Sequence, residues 1–289
     1  LNSFFINEDE LKINLSFKNF KKLENKRNQA LEDGILIRTE NDKVKGSITY
    51  KDINYPITMR LKGDKMDHLI GNNWSFRVEL RKDKAFLGMK EFSLQHPRTR
   101  NYLNEYIFHR LLSYEDLPSL RYKYIPVSIN GNYLGIYALE EHFSKELVEN
   151  NKLREGPVIK LSDSDYFEEE RIIQSNQLLD TFNTSNEFNA EILPFNSNKI
   201  ITNEGQLSQF YLASSLINDF LKGEKSSSKV FDLEKTAKYF AICDLVGNDV
   251  EIWDLRLYFD PVLGRLLPVG YDSQYPINRR LAFGLDLPN

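Results

Sequence analysis

Several things are scarce in this chain. Of its 289 residues only Cys243 is a cysteine, which excludes an intrachain disulfide and any zinc site built on cysteines. No apolar run approaches the ~18 residues needed to span a bilayer. The four histidines, His68, His96, His109 and His142, lack metal-ligand spacing and read as ordinary polar or capping residues. There is no Gly-x4-Gly-Lys-Ser/Thr loop, no complete Gly-x-Gly-x-x-Gly, no His-Glu-x-x-His and no Gly-x-Ser-x-Gly. Basic charge is not in excess: 38 Lys and Arg face 42 Asp and Glu, a net charge of −4. That balance argues against general nucleic-acid binding, which rests on neutralising phosphates. The chain starts at Leu1 rather than Met, so it is expected to be cut from a longer protein, with any export signal or anchor upstream.

What is present is apolar material for a sizeable core: hydrophobic residues make up 41% and charged residues 28%, the balance of a globular protein. The length fits one large domain or two lobes. The first half reads as strands at Leu11–Phe17, Ile35–Arg38, Gly46–Tyr50, Pro56–Lys62 and Trp74–Leu80, each bounded by polar residues or Gly. A helix is expected over Asn101–Ser113, with Leu103, Ile107 and Leu111 on one face. Two short apolar runs, Tyr122–Ile129 and Tyr133–Leu139, flank Asn130-Gly131-Asn132, a strong hairpin signal. The second half reads as helices at Ser144–Asn151, Ser164–Phe182, Gln206–Lys222 and Asp232–Leu245, then a hairpin, Asp254–Phe259 and Leu266–Tyr271. The simplest division is two lobes meeting near His142–Gly156: residues 1–142, strand-rich with one helix, and residues 143–289, helix-rich.

Three acids stand out. A helix stop at Gly247 is followed by Asp249 and, five residues on, Asp254; the late hairpin then leads to Asp272. A hairpin brings its ends together, so Asp254 and Asp272 are expected close in space, with Asp249 nearby. Clustered carboxylates repel unless a cation intervenes, and hard oxygen ligands of this kind suit Mg²⁺ with nucleotide phosphates. The order of parts follows protein-kinase logic: an acid, a metal-ligand side chain five residues on, a hairpin, then a metal-binding Asp. The competing reading is a surface charge run with turn and helix caps. On Pro56–Lys62 the residues Arg60 and Lys62 alternate with apolar Ile57, Met59 and Leu61, and on Trp74–Leu80 Arg77 does the same. These cations could hold phosphate oxygens, or be ordinary solvent-facing charge; Lys90 is a further candidate.

Six segments resemble the spore coat protein H (CotH) family of atypical kinases, over about Met59 to Gly284. They are Met59-Arg-Leu-Lys-Gly-Asp64, Trp74-Ser-Phe-Arg-Val-Glu-Leu80, Arg100-Asn-Tyr-Leu103, Ile129-Asn-Gly-Asn-Tyr-Leu-Gly-Ile-Tyr137 with Glu140-Glu141, Gly247-Asn-Asp249, and Leu257-Tyr258 with Pro268-Val-Gly-Tyr-Asp272. The resemblance implies an α+β, two-lobed atypical protein-kinase-like fold with a strand-rich N-lobe and a helix-rich C-lobe. It also implies ATP with Mg²⁺, and phosphoryl transfer to Ser/Thr of a protein substrate, in a spore coat or at a bacterial cell surface. Carried over by position, Asp249 matches the catalytic acid/base and Asp272 the metal-binding Asp. Asp254 stands where the family has Asn, Gln274 replaces a second Asp, and Tyr271 replaces Trp. Glu105 is a candidate partner for a phosphate-side cation, as helix acids are in kinases, and Glu141 matches a family position. The same fold also carries adenylylation or glutamylation in divergent kinases, and the departures leave room for a non-catalytic pseudokinase or structural coat component.

Overall fold

The computed structural model describes residues 9–63, 66–72, 74–161, 191–195, 200–248, 250 and 255–273. The chain is α+β and divides into two compact units, Leu1–Tyr106 with Leu120–Leu147, and Ile107–Ser119 with Val148–Asn289.

The first unit is built on strands β1 (Leu11–Leu15), β2 (Val44–Tyr50), β3 (Ile53–Leu61), β4 (Phe76–Leu80), β5 (Glu91–Gln95), β6 (Tyr122–Ile129) and β7 (Asn132–Glu141). They close into a barrel in the order β1-β2-β3-β4-β5-β7-β6. Closure comes from parallel pairing of β1 with β6, Ile13 opposite Ile129. Alternation fixes which side chains fill it: Ile57, Met59 and Leu61 of β3 and Phe76, Val78 and Leu80 of β4 are all buried in one apolar core. Each such side chain contributes ~1.5–3 kcal/mol by leaving water. The β6–β7 hairpin turns on two residues, Asn130 (φ 49°) and Gly131 (φ 83°), the pair of positive φ angles that matches strand twist.

Three features of this unit depart from expectation. Residues 35–38 are not a strand. Helix α1 (Phe17–Asp33) was not foreseen; it starts on a Ser16 cap, ends at Gly34 with φ 73°, and buries only Leu23 and Ala30, too few apolar positions to mark a periodic face. Strand β5 was also missed, because Phe92, Ser93, Leu94 and Gln95 are all buried and no alternation shows.

Helix α2 (Asn104–Tyr114) follows a short 3-10 turn, Pro97–Arg100. Its inward face is not the expected Leu103, Ile107 and Leu111. Leu103 and Ile107 are 58% and 45% exposed, whereas Glu105, Phe108, His109 and Leu112 are buried. That is a sound i, i+3, i+4, i+7 stripe disguised by two polar members.

The second unit holds a four-stranded sheet, β11-β10-β8-β9, made of β8 (Val158–Leu161), β9 (Ile192–Pro194), β10 (Arg256–Asp260) and β11 (Arg265–Val269). It also contains α4 (Glu204–Leu221), α5 (Ser227–Val230) and α6 (Leu233–Val246), while α3 (Lys145–Asn150) straddles the division between units. The expected late hairpin is β10–β11, in register from Arg256 opposite Val269 to Asp260 opposite Arg265. Helix α6 begins on an Asp232 cap and stops at Gly247, φ 69°, as its composition indicated. The helix expected over 164–182 lies outside the described residues.

Candidate functional site

Strand register builds one row of polar side chains across the barrel. Arg60 lies opposite Arg77, Arg77 opposite Ser93, Ser93 opposite Glu140 and Glu140 opposite Tyr122. Their strand neighbours Met59, Val78, Phe92 and Leu139 fill the interior, so the row faces outward. Lys62 and Gln95 extend it by one step. Outward is not exposed here: Ser93, Gln95, Glu140, Tyr122 and Lys62 are all buried. Part of the cover is the segment from Pro97 to Tyr106, where Tyr124 donates to the Tyr102 carbonyl and the Tyr106 and Tyr124 rings lie 5.7 Å apart.

At the centre is an ion pair. Lys62 Nζ donates to both Glu140 oxygens at 3.1 and 3.2 Å and to Gln95 Oε1 at 2.8 Å. The Gln95 amide donates to the same carboxylate at 2.5 Å. Taking the two charges out of water costs several kcal/mol for each ion, so the pair persists only because it is this fully hydrogen-bonded. Burial works to raise the Glu140 carboxyl, but Lys62, Arg100 and Arg77 outweigh it and hold it at about 2. Burial pulls Lys62 down to about 8; Glu140 opposes this, while Arg77 and Arg100 add to it. Burial also keeps His68 neutral, with Arg100 and Lys62 pushing the same way, to about 3. Three cations, Lys62, Arg100 and Arg77, thus act on the Glu140 carboxylate.

Arg77 has donors to spare. Its Nε lies 3.9 Å from Glu91, beyond hydrogen-bond reach. Among the described residues, Arg77 Nε and Nη1 and the facing Ser93 Oγ are buried with no hydrogen-bond partner. Unsatisfied buried donors carry a desolvation cost, which an anion bound there would remove. The chemistry of this donor set fits phosphate oxygens.

Lys62 is held from its own loop. Its N–H bonds the Ser75 carbonyl at 2.8 Å, the Ser75 N–H bonds the His68 carbonyl at 2.9 Å, and His68 Nδ1 lies 2.9 Å from Ser75 Oγ. Gly63 must be glycine: its φ is 115°, and a Cβ would meet the His68 side chain at 2.4 Å.

The other sequence candidates fall as follows. Arg60 is half-buried and donates to the Leu61 carbonyl. Glu105 is fully buried rather than a surface helix residue; with burial, its charge helps to raise the Tyr122 and Tyr124 hydroxyls. Glu141 is engaged by Arg121, whose Nε and backbone N–H bond one carboxylate oxygen at 2.9 and 3.0 Å while Nη2 bonds the other. The same guanidinium reaches the Leu87 and Gly88 carbonyls, so Glu141 anchors a clamp across the end of the barrel. Lys90 sits between Asp83 and Glu146 at the surface. The acid on Lys62 is therefore Glu140, which in the sequence stands only as one residue of the Glu140-Glu141 pair. Asp272 follows β11 with φ 46°, a backbone region that Asp tolerates better than most residues, and Arg256 stacks on the adjacent Tyr271 at 4.4 Å. Asp249, Asp254 and Gln274 lie outside the described residues. Among the described residues no three His, Cys, Asp or Glu side chains cluster as a metal site.

The protein-family model described as "CotH kinase protein" matches residues 60–269. The match takes in Arg60, Lys62, Arg77, Gln95 and Glu140, leaves α1 outside, and ends before Asp272. No curated protein matches the chain.

Proposed function

The chain belongs to the CotH kinase family, and from that premise we propose that it binds Mg-ATP and transfers a phosphoryl group to a Ser or Thr hydroxyl of a protein. The observation that carries this reading is the barrel's buried row, where Arg77 and Ser93 keep donors with no hydrogen-bond partner among the described residues, beside the Lys62–Glu140 pair. In the reading, Lys62, Arg77 and Arg60 neutralise phosphate oxygens. Glu140 orients Lys62, a part for which the sequence had offered Glu105. Asp249 accepts the hydroxyl proton as the oxygen bonds to phosphorus and ADP departs. Mg²⁺, held by Asp272 and Asp254, would offset charge on the transferring group. Most of the acceleration then comes from positioning and fixed charge.

On this reading the fold is a two-lobed kinase-like one, and the protein substrate lies in a spore coat or at a bacterial cell surface. No helix among the described residues is long and apolar enough to cross a membrane. A second reading, a nucleotide-binding pseudokinase, draws on Asp254 and Gln274 standing where the family has Asn and Asp. Adenylyl or glutamyl transfer would use the same phosphate-binding cations.

Calorimetric titration with Mg-ATP tests the binding step. The wild type should bind, and Arg77→Ala should bind about ten- to a hundred-fold more weakly, the equivalent of one charge-assisted hydrogen bond. A wild type that binds no nucleotide sinks both the kinase and the pseudokinase readings.

A further inference from the structure

The loop between β3 and β4 is gripped by two arginines from different elements. From α1, Arg27 Nε donates to the Leu69 carbonyl at 2.8 Å and Nη2 to the Gly71 carbonyl at 2.9 Å. The same guanidinium lies 5.2 Å over the Trp74 ring, and Trp74 stacks on Phe20 of α1 at 5.8 Å and donates to Gly71 at 3.1 Å. From the 3-10 turn, Arg98 Nη2 donates to the Ile70 carbonyl at 2.8 Å and the Asp67 carbonyl at 3.4 Å. Four carbonyls in five residues, 67 to 71, are thus held by two side chains. A guanidinium suits this because its donors lie in a rigid fork. Leu69, between the two grips, is fully buried in the barrel core.

The held stretch leads directly to the ion pair. His68 precedes Leu69, fills the space beside Gly63, and binds Ser75 through both backbone and ring. Ser75 in turn receives the Lys62 N–H. Displacing residues 67–71 therefore moves both ends of the strand-to-strand connection on which Lys62 and Arg77 are placed.

We infer that Arg27 and Arg98 are positioning residues for Lys62, clamping the β3–β4 loop so that its ammonium stays buried on Glu140. The functional consequence rests on the reading of Lys62 as a phosphate ligand; the clamp itself does not. Arg27 lies on α1, outside the 60–269 family match, so this half of the clamp belongs to the chain's own N-terminal helix.

The test follows Lys62 directly. Competitive acetylation with acetic anhydride across pH 7–11, read by peptide mass spectrometry, gives the rate and titration midpoint of Lys62 in the full chain. Charged groups facing Lys62 are Glu140, Arg77 and Arg100, with neutral His68. The wild type should react slowly with a midpoint near 8. In Arg27→Ala and Arg98→Ala the rate should rise several-fold and the midpoint move towards the ordinary 10.5, while Lys21→Ala, on the same helix as Arg27, changes neither. Arg27→Lys keeps the charge but loses the fork; if Arg27→Ala folds poorly it takes that variant's place, and it should shift Lys62 in the same direction. A lowered melting temperature with unchanged Lys62 rate and midpoint would overturn the clamp and leave the arginines merely structural. If Lys62 responds as expected but the wild type binds no Mg-ATP, the clamp stands and the phosphate reading of Lys62 falls.

Discussion

Lys62 and Glu140, 78 residues apart in the chain, meet as a buried ion pair with Nζ 3.1 and 3.2 Å from the two carboxylate oxygens. Strand register puts them on one row, Gln95 bridges them, and Arg100 and Arg77 add to Lys62 in holding the carboxylate charged.

Breaking the pair from either side should destabilise the fold. Lys62→Met or Glu140→Leu alone strands a buried charge, at a cost of about 3–5 kcal/mol. The double variant Lys62→Met/Glu140→Leu should recover much of that loss. Urea unfolding of the four proteins measures it, and additive losses in the double variant would show that the two residues do not act as a pair.

The acid limb of stability should carry Glu140. Its folded value is held at about 2 against an ordinary 4.5. A group depressed in the fold contributes stability above its unfolded value and loses it as pH falls through the folded one. Stability should therefore decline between pH 4.5 and 2, and Glu140→Gln should flatten that decline. An identical slope in the variant contradicts the assignment.

Lys62 has the same sign of pH dependence, in the alkaline range. Its folded value near 8 lies below 10.5, so the unfolded chain binds the extra proton between those values and the Lys62 contribution to stability rises with pH there. An anion bound at Lys62 favours the charged form. Mg-ATP binding at pH 9 should take up protons in the wild type and fewer in Lys62→Arg. Titration calorimetry in buffers of different ionisation enthalpy reads this difference.

Glu141→Gln separates the two neighbouring acids. It should cost stability through the Arg121 clamp, about 3 kcal/mol by the same buried-pair argument, yet leave Mg-ATP affinity within twofold in the folded protein. A large loss of nucleotide affinity at full stability would return Glu141 to the binding site.

Gly63→Ala should be among the most damaging small substitutions, about 2 kcal/mol or more, because positive φ and a side-chain collision coincide there. Gly131→Ala carries only the φ penalty, since nothing lies within 4 Å of its Cβ position. Thermal unfolding of the two variants should rank them in that order.

What the sequence made legible follows from period and turn chemistry. β3 and β4 were readable because their apolar residues alternate, and the β6–β7 hairpin because Asn130-Gly131 supplies two positive φ angles. Alternation also put Arg60, Lys62 and Arg77 on one side, and register then aligned Arg60 with Arg77. Strand β5 and the inward face of α2 were hidden for a common reason. Their buried positions include Ser93, Gln95, Glu105 and His109, which a hydrophobic pattern counts as surface. The role of Glu140, next to Glu141, was hidden for a different reason. Adjacent residues on a strand face opposite ways, and only pairing across β5 and β6 decides which one meets Lys62. Strand parity was the available signal, since Glu140 alternates with core residues Tyr137 and Leu139.

Intact-mass spectrometry after incubation with Mg-ATP and a generic acceptor such as casein tests the kinase reading most directly. The account predicts a phosphoryl increment on the acceptor or on the chain itself, lost in Asp249→Ala and Asp272→Ala variants that remain folded. An adenylyl or glutamyl increment, or a phosphoryl increment that persists in both variants, would contradict it.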